Sequence, residues 1–355
     1  VSRVPFCLLT WNAWHGLSGQ GVIEFGELEP KARREQRWLE IQDFLTAQQV
    51  AIKTSLGPLA IQVVALQEVN PLLPRRRGLE SALRRRSGGA EFWLGHSFDQ
   101  RGLKLRGFGW PRNLETGLIT VVTGAERVTE ETLVLSGPRS VSQEMSLQLH
   151  EARRAHLVLF HDALARPWAV ANLHLHHGFE PHRGLLEHLE RALFDGRLEA
   201  SELEFAIGVF EEARARRRAE MQVILKRLDE LRREQPSIVQ VIMGDFNSPP
   251  DGEVMTSLIA DGWTDLGADQ GPTWDPERNP LNHERNNLFR YPYPDFNRPQ
   301  DLQRLWREYD RKPRRIDAIF LRGGPHTVAN ASAKLITGER VPPSDHFGVQ
   351  AWGEI

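Results

Sequence analysis

The stretch Val239-Gln240-Val241-Ile242-Met243-Gly244-Asp245-Phe246-Asn247 decides the fold reading. It opens as an apolar, β-branched run of strand length, built for the inside of a sheet. It then stops on a glycine that lets the backbone turn, an aspartate and an asparagine. The same break recurs along the chain. Phe6-Cys7-Leu8-Leu9-Thr10-Trp11 ends on Asn12, Val63-Val64-Ala65-Leu66-Gln67 ends on Glu68, and Val170-Ala171-Asn172-Leu173 ends on His174, with His176 and His177 just beyond. Asp317 stands at the start of the run Ile316 to Leu321, and Asp345 and His346 immediately precede the run Phe347 to Trp352.

Any one of these acids has an ordinary explanation as a turn residue or helix cap, and a lone histidine is usually structural. Together they change the reading, because the strands of a sheet can deliver their terminal side chains to one rim. The set Asn12, Glu68, His174, Asp245, Asn247, Asp317, Asp345 and His346 then lines one concave site.

Further strands are expected at Thr116 to Val122 and Ala155 to Phe160, and helical spacing appears between the strands. Lys31 to Ile52 places Trp38, Ile41, Phe44 and Leu45 on one face. A longer pattern opens at Ser201-Glu202-Leu203-Glu204 as a capping box, and its stripe runs through Leu203, Ile207 and Phe210. The stripe fades over Arg214 to Arg218, from a solvated midsection or a junction of two helices, and resumes at Met221. No Gly/Ser/Pro linker divides the 355 residues, so one α/β domain over 1–355 is expected, with a helical insertion at 178–212 and a long loop at 275–313. Both segments are candidate walls of a cleft.

Hydrophobic residues at 40% and charged residues at 26% describe an ordinary globular chain, not a disordered or disulfide-built one. The single cysteine, Cys7, lies in an apolar run and reads as a buried thiol. No apolar run approaches the ~20 residues of a membrane span, and no signal peptide is visible. The cytoplasm is favoured, with export left open because a leader can be removed. The net charge of -2 conceals arginine runs at 75–77, 84–86 and 216–218, read first as solvated surface and second as phosphate contacts. No protein partner is predicted.

The residue types indicate the chemistry. Carboxylate and amide oxygens without thiolates suit a hard cation, Mg²⁺ or Mn²⁺, which typically takes one or two protein carboxylates and keeps other positions for water and phosphate oxygens. Glu68 beside Asn12 fits that pattern. Asp245 can orient or deprotonate a water, Asn247 can donate to a phosphoryl oxygen, and histidines can offset transition-state charge. Asp317 behind His346 would fix that imidazole's tautomer. No nucleophile elbow or Walker-type loop is present, leaving direct attack of metal-assisted water on phosphorus. A zinc site at His176, His177 and His182 beside His174 lacks the tight spacing of zinc motifs.

Taken in order, "TWNAW", "ALQEV", "NLHLHH", "GDFNSPP", "RIDAIF" and "SDHFG" resemble the endonuclease/exonuclease/phosphatase superfamily of metal-dependent phosphoesterases, from Asn12 to His346. The resemblance implies a four-layer α/β sandwich, two central mixed β-sheets packed face to face with helices outside. It implies Asn12 and Glu68 as principal metal ligands with Asp345 assisting. It further implies His174 for transition-state stabilisation or the leaving group, Asp245 and Asn247 for nucleophile orientation and phosphate contact, and Asp317 paired with His346. A phosphodiester substrate follows, phospholipid or nucleic acid.

For the substrate, abasic-site endonucleases and tyrosyl-DNA phosphodiesterases open with a W-N-x-D-G pattern, and here Trp14 holds the aspartate's place, as in the N-x-W start of neutral sphingomyelinases. Against this, Thr273-Trp274-Asp275 with Asn279 resembles a T-W-D stretch of the tyrosyl-DNA phosphodiesterases, of which sphingomyelinases carry a related T-F-D version. The balance leans to a phospholipid or other non-duplex phosphodiester. DNA end processing, a phosphomonoesterase for a soluble or inositol-like phosphate, and a catalytically silent binding protein are the alternatives. The aromatic run Tyr291 to Phe296 reads as a cleft lip or a loop packed on the core.

Overall fold

A computed structural model describes residues 3–14, 31–57, 59–86, 91–104, 112–136, 153–177, 183–281, 312–324, 326, 328–337 and 343–355. One six-stranded sheet contains β1 (Pro5–Asn12), β2 (Ile61–Val69), β3 (Phe92–Lys104), β4 (Arg112–Thr123), β11 (Ala329–Ile336) and β12 (Gly348–Glu354), in the order β11-β12-β1-β2-β4-β3. The other contains β5 (Glu126–Ser136), β6 (Arg153–His161), β7 (Pro167–His174), β8 (Val239–Asp245), β9 (Thr264–Asp265) and β10 (Asp317–Arg322), in the order β5-β6-β7-β8-β10-β9. Both are mixed, with β1–β2 and β7–β8 parallel and flanking pairs antiparallel. This is the α/β sandwich that the motifs imply.

Period-two alternation explains why the central strands look apolar throughout. On β1, Phe6 and Leu8 enter the core between the sheets, meeting Val158, Phe160, Trp168 and Met243 of the opposite sheet. Leu9 and Trp11 point the other way, against Trp38, Ile41 and Leu45 of α1 (Lys31–Leu56) and Leu79 and Leu83 of α2 (Leu72–Arg86). A strand covered on both faces needs apolar residues at odd and even positions alike. Trp168 is fully buried, stacked on Phe160 at 5.8 Å and edge-on to Phe6 at 6.2 Å. Burial of each such side chain stabilises the fold by roughly 1.5–3 kcal/mol.

The second sheet's outer face is covered by α4 (Ala200–Glu234) and α5 (Glu253–Ala260), through Met221, Ile224, Leu228 and Val254. α4 follows α3 (Arg183–Phe194), and Leu185, Leu189, Ala206 and Phe210 form a small apolar cluster between them. Two details differ from the sequence reading. α4 begins before Ser201: Glu199 is the N-cap, and its backbone N–H donates to Glu202 at 2.7 Å. The stripe also turns past Ile207, which is exposed, to Ala206. Across the arginine-rich gap α4 stays one helix, and Arg217 and Glu220 there are fully buried against the end of β7.

Among the described residues, no helix is long and apolar enough to cross a membrane. His182, residues 178–181, 282–311 and the Tyr291 to Phe296 run lie outside the described residues.

Candidate functional site

Strand direction gathers the site. β1 and β2 are parallel, as are β7 and β8, so Asn12, Glu68, His174 and Asp245 stand at or beside C-terminal strand ends. β10 is antiparallel to β8 and pairs Asp317 directly with Asp245, while β12 is antiparallel to β1, which brings the residues preceding it to the same rim. Local backbone sharpens the arrangement. Trp14, Glu68 and Asn247 all have positive φ, at 46°, 52° and 49°, and strain of this kind concentrates where side chains must be aimed. Gly244 also has positive φ, and a Cβ there would run into the Leu173 carbonyl of the neighbouring strand.

Asn12 joins the two sheets. Its Nδ2 donates to Glu68 Oε1 at 3.2 Å and to Asp245 Oδ2 at 3.0 Å, while its Oδ1 accepts the Trp14 backbone N–H at 3.0 Å. The amide nitrogen, not the oxygen, therefore faces the carboxylates. Asp245 Oδ1 accepts the Asn247 N–H at 2.8 Å, and Asn247 Nδ2 donates to the Leu175 carbonyl. His174 Nε2 lies 3.7 Å from Glu68 Oε1 and 3.6 Å from Asp245 Oδ2. His346 Nδ1 donates to Asp317 Oδ2 at 2.8 Å, with both side chains buried. Asp345 is buried beside it.

Burial pushes the Asp245 carboxyl above the ordinary aspartate range, and the facing Asp317 adds to the effect. Burial works against charge on His346, yet Asp317, then Asp345 and Asp245, lift its pKa from the ordinary 6.5 to about 10. The pair His346–Asp317 is thus an imidazolium held by a carboxylate.

The donor chemistry fits a divalent cation. Asp317 Oδ1 is buried with no hydrogen-bond partner, and Asp245 and Asp317 are packed side by side across the β8–β10 register. Such a surplus of buried negative charge is what a bound cation offsets. Among the described residues, Asp245, Asp317 and His346 form the group whose candidate ligand atoms lie within 4.8 Å of one another. His346 is already engaged with Asp317, so the hard-oxygen face is the one where Asp245 and Glu68 meet through Asn12. His174, His176 and His177 form no such group.

Several residues of the site carried no assignment from sequence. Gln67, next to Glu68, donates to Asn172 Oδ1 at 2.8 Å across the sheet interface. Thr273 Oγ1 accepts the N–H groups of Ile316 and Asp317, and Trp274 lies edge-on to His346 at 5.2 Å. The T-W-D stretch thereby braces the Asp317–His346 pair. Glu220 accepts the His176 N–H at 2.7 Å, and Arg217 donates to the His176 carbonyl at 3.2 Å. The arginine gap of α4 therefore holds the histidine-rich strand end. Arg153, 1% exposed, donates to His174 Nδ1 at 3.1 Å and His177 Nδ1 at 3.0 Å. Its signal was the arginine pair Arg153-Arg154 at the head of the apolar run from Ala155 to Phe160.

The sequence profile described as the Endonuclease/Exonuclease/phosphatase family matches residues 9–346. No curated protein matches the chain. Among solved structures, an endonuclease/exonuclease/phosphatase from Bacteroides vulgatus is similar at TM-score 0.53 and 16% identity, covering 100% of both chains. A family protein from Leptotrichia buccalis is similar at TM-score 0.51 and 16% identity, covering 98% of each chain. The truncated TDP2 of Caenorhabditis elegans is similar at 0.52 and 14%, covering 99% of this chain and 98% of that one. At such identities the likeness is one of fold.

Proposed function

The chain belongs to the endonuclease/exonuclease/phosphatase family, and from that premise we propose that it is a divalent-metal-dependent phosphodiesterase in which water attacks phosphorus directly. The observation that carries this reading is Asn12 bridging Glu68 of one sheet and Asp245 of the other. It sets two carboxylates from opposite sheets on one rim, beside two histidines.

Glu68 and Asp245 would hold Mg²⁺ or Mn²⁺, with Asp345 in support and Asn12 orienting the two carboxylates through its amide nitrogen. Once bound, the ion neutralises charge on the phosphoryl oxygens. Asp245 orients the attacking water and accepts its proton at a carboxylate oxygen. Asn247 contacts a phosphoryl oxygen without repelling it. His174 and the His346 imidazolium face the charge that builds as the P–O bond to water forms and the ester P–O bond breaks. His346 can return a proton to the departing oxygen.

Trp14, in place of the aspartate of the DNA-repair pattern, carries the assignment to a phospholipid or other non-duplex phosphodiester. The deciding measurement is hydrolysis of bis(p-nitrophenyl) phosphate with Mg²⁺ or Mn²⁺, then with chelator, followed by sphingomyelin, lysophospholipid, abasic DNA and single-stranded DNA in parallel. Equal rates with chelator, or full activity in Glu68→Ala, would sink the reaction class. Exclusive cleavage of DNA would overturn the substrate assignment.

A further inference from the structure

We propose that Arg153 is a positioning residue for His174, holding that imidazole as the neutral Nε2–H tautomer so that it works as a fixed hydrogen-bond donor. Its catalytic meaning rests on reading the rim as a phosphodiesterase site; the tautomer does not.

A guanidinium is always protonated and has no acceptor, so whatever faces it at hydrogen-bond distance must present a lone pair. Arg153 Nη1 is 3.1 Å from His174 Nδ1, and Nη2 is 3.0 Å from His177 Nδ1. Both Nδ1 atoms are therefore acceptors, and the ring proton of His174 sits on Nε2. That nitrogen faces Glu68 Oε1 and Asp245 Oδ2 at 3.7 and 3.6 Å. An N–H faces two carboxylate oxygens favourably, where a lone pair would be repelled. The separations exceed those of good hydrogen bonds, so these two contacts are electrostatic, at the rim where the proposed function places the phosphoryl group.

The fold makes this orientation firm. β6 is antiparallel to β7, with Ala155 paired to Leu173, so the first residue of β6 is carried to the rim beside His174. Arg153 is buried, which keeps water from competing for Nδ1. On the far side the His176 backbone is fixed at both polar groups, its N–H by Glu220 and its carbonyl by Arg217.

The contrast with His346 gives the device its meaning. Behind that ring stands a carboxylate, Asp317, which accepts from Nδ1. Behind His174 stands a cation, which donates to Nδ1 and disfavours a second proton there. The two histidines on one rim are thus held in opposite ways, His346 through an Nδ1–H given to a carboxylate and His174 through an Nδ1 lone pair offered to a guanidinium.

The test uses the full-length protein labelled with ¹⁵N-histidine, without metal or substrate, at neutral pH. Long-range ¹H–¹⁵N correlation distinguishes the two ring nitrogens, and the His174→Gln spectrum identifies the signal. The expected wild-type result is an unprotonated Nδ1 and a protonated Nε2 at His174, with the same pattern at His177. In Arg153→Met the unprotonated Nδ1 of His174 loses the ¹⁵N shift that a hydrogen-bond donor imposes on a lone pair, and with metal and diester substrate kcat falls by roughly 10–100-fold with KM little changed. Arg153→Lys, which keeps a charged donor, restores that shift and part of kcat.

A wild-type His174 protonated at Nδ1 would overturn the proposal, as would an unchanged Nδ1 shift in folded Arg153→Met. Should Arg153→Met fail to fold, the wild-type Nδ1 shift, displaced or not from that of a free lone pair, still decides. Should the protein hydrolyse no diester, the reaction reading fails while the tautomer result stands by itself.

Discussion

Gln67 and Asn172 hydrogen-bond across the interface between the two sheets, Nε2 to Oδ1 at 2.8 Å, with both side chains fully buried. Asn172 Nδ2 goes on to the carbonyls of Leu66 and Ile119, and Gln67 Nε2 also meets Thr10 Oγ1. These amides lie next to Glu68 and two residues from His174, so they set the spacing of the sheets where the site is built. Asn172→Ala leaves several buried groups unsatisfied and should cost about 1–3 kcal/mol by urea unfolding. A double-mutant cycle with Gln67→Ala should show a coupling of about 0.5–3 kcal/mol. Strict additivity would mean that the contact does not join the sheets energetically.

Removal of metal is a second expectation. A cation that binds the folded rim and not the unfolded chain raises the melting temperature, and the rise grows with the logarithm of free ion above its dissociation constant. Mg²⁺ should therefore stabilise wild-type protein and lose that effect in Glu68→Gln and Asp245→Asn. Asn12→Ala should weaken the shift without abolishing it, since that change removes the orienting amide and leaves both carboxylates. Equal Mg²⁺ shifts in wild type and Glu68→Gln would exclude Glu68 as a ligand.

The pair His346–Asp317 sets a pH dependence for the metal-free protein. His346 has its folded pKa raised from 6.5 to about 10, so its contribution to stability is fully present below 6.5 and is lost as pH rises through about 10. The stability difference between wild type and His346→Asn, measured in chelator, should be larger at pH 6 than at pH 10. Asp317→Asn removes the main support of the charge, and the His346 ring should then titrate at a lower pH than in the wild type by NMR. A gap that widens with pH would reverse the sign and reject the imidazolium assignment.

Which strands were legible follows from where they lie. Every strand recognised as an apolar run, from β1 to β12, is interior to its sheet, while β3, β5, β9 and β11 are the four sheet edges. Edge strands are half solvated, and β5 and β11 accordingly read as polar sequence, with residues such as Glu126, Arg127, Glu130 and Glu131 or Asn330 and Lys334. The candidate site residues were legible because acids and histidines contrast with the apolar strands that carry them. Arg153, Gln67 and Asn172 were not, because each acts through a partner distant in sequence. The arginine gap of α4 was opaque for the same reason: Arg217 and Glu220 are buried against His176, 41 and 44 residues away.

Trp14 provides the last prediction. Its position two residues after Asn12 carries the proposed substrate assignment, but its side chain is 3% exposed, with the Arg37 guanidinium 4.4 Å over the ring and the indole N–H buried without a partner. Its backbone N–H holds Asn12 Oδ1. Trp14 thus acts on the site through Asn12 and through packing, not as an open wall of the cleft. Trp14→Phe keeps a ring beneath Arg37 and removes the orphaned donor, so stability should change by no more than about 1 kcal/mol and kcat should be nearly preserved. Trp14→Ala empties a buried site and should cost about 3–5 kcal/mol. Its kcat should fall along with the Mg²⁺-induced thermal shift, since both depend on how firmly Asn12 is held. If Trp14→Phe instead changed which substrate of the lipid and DNA panel is cleaved, the indole would have to contact substrate directly.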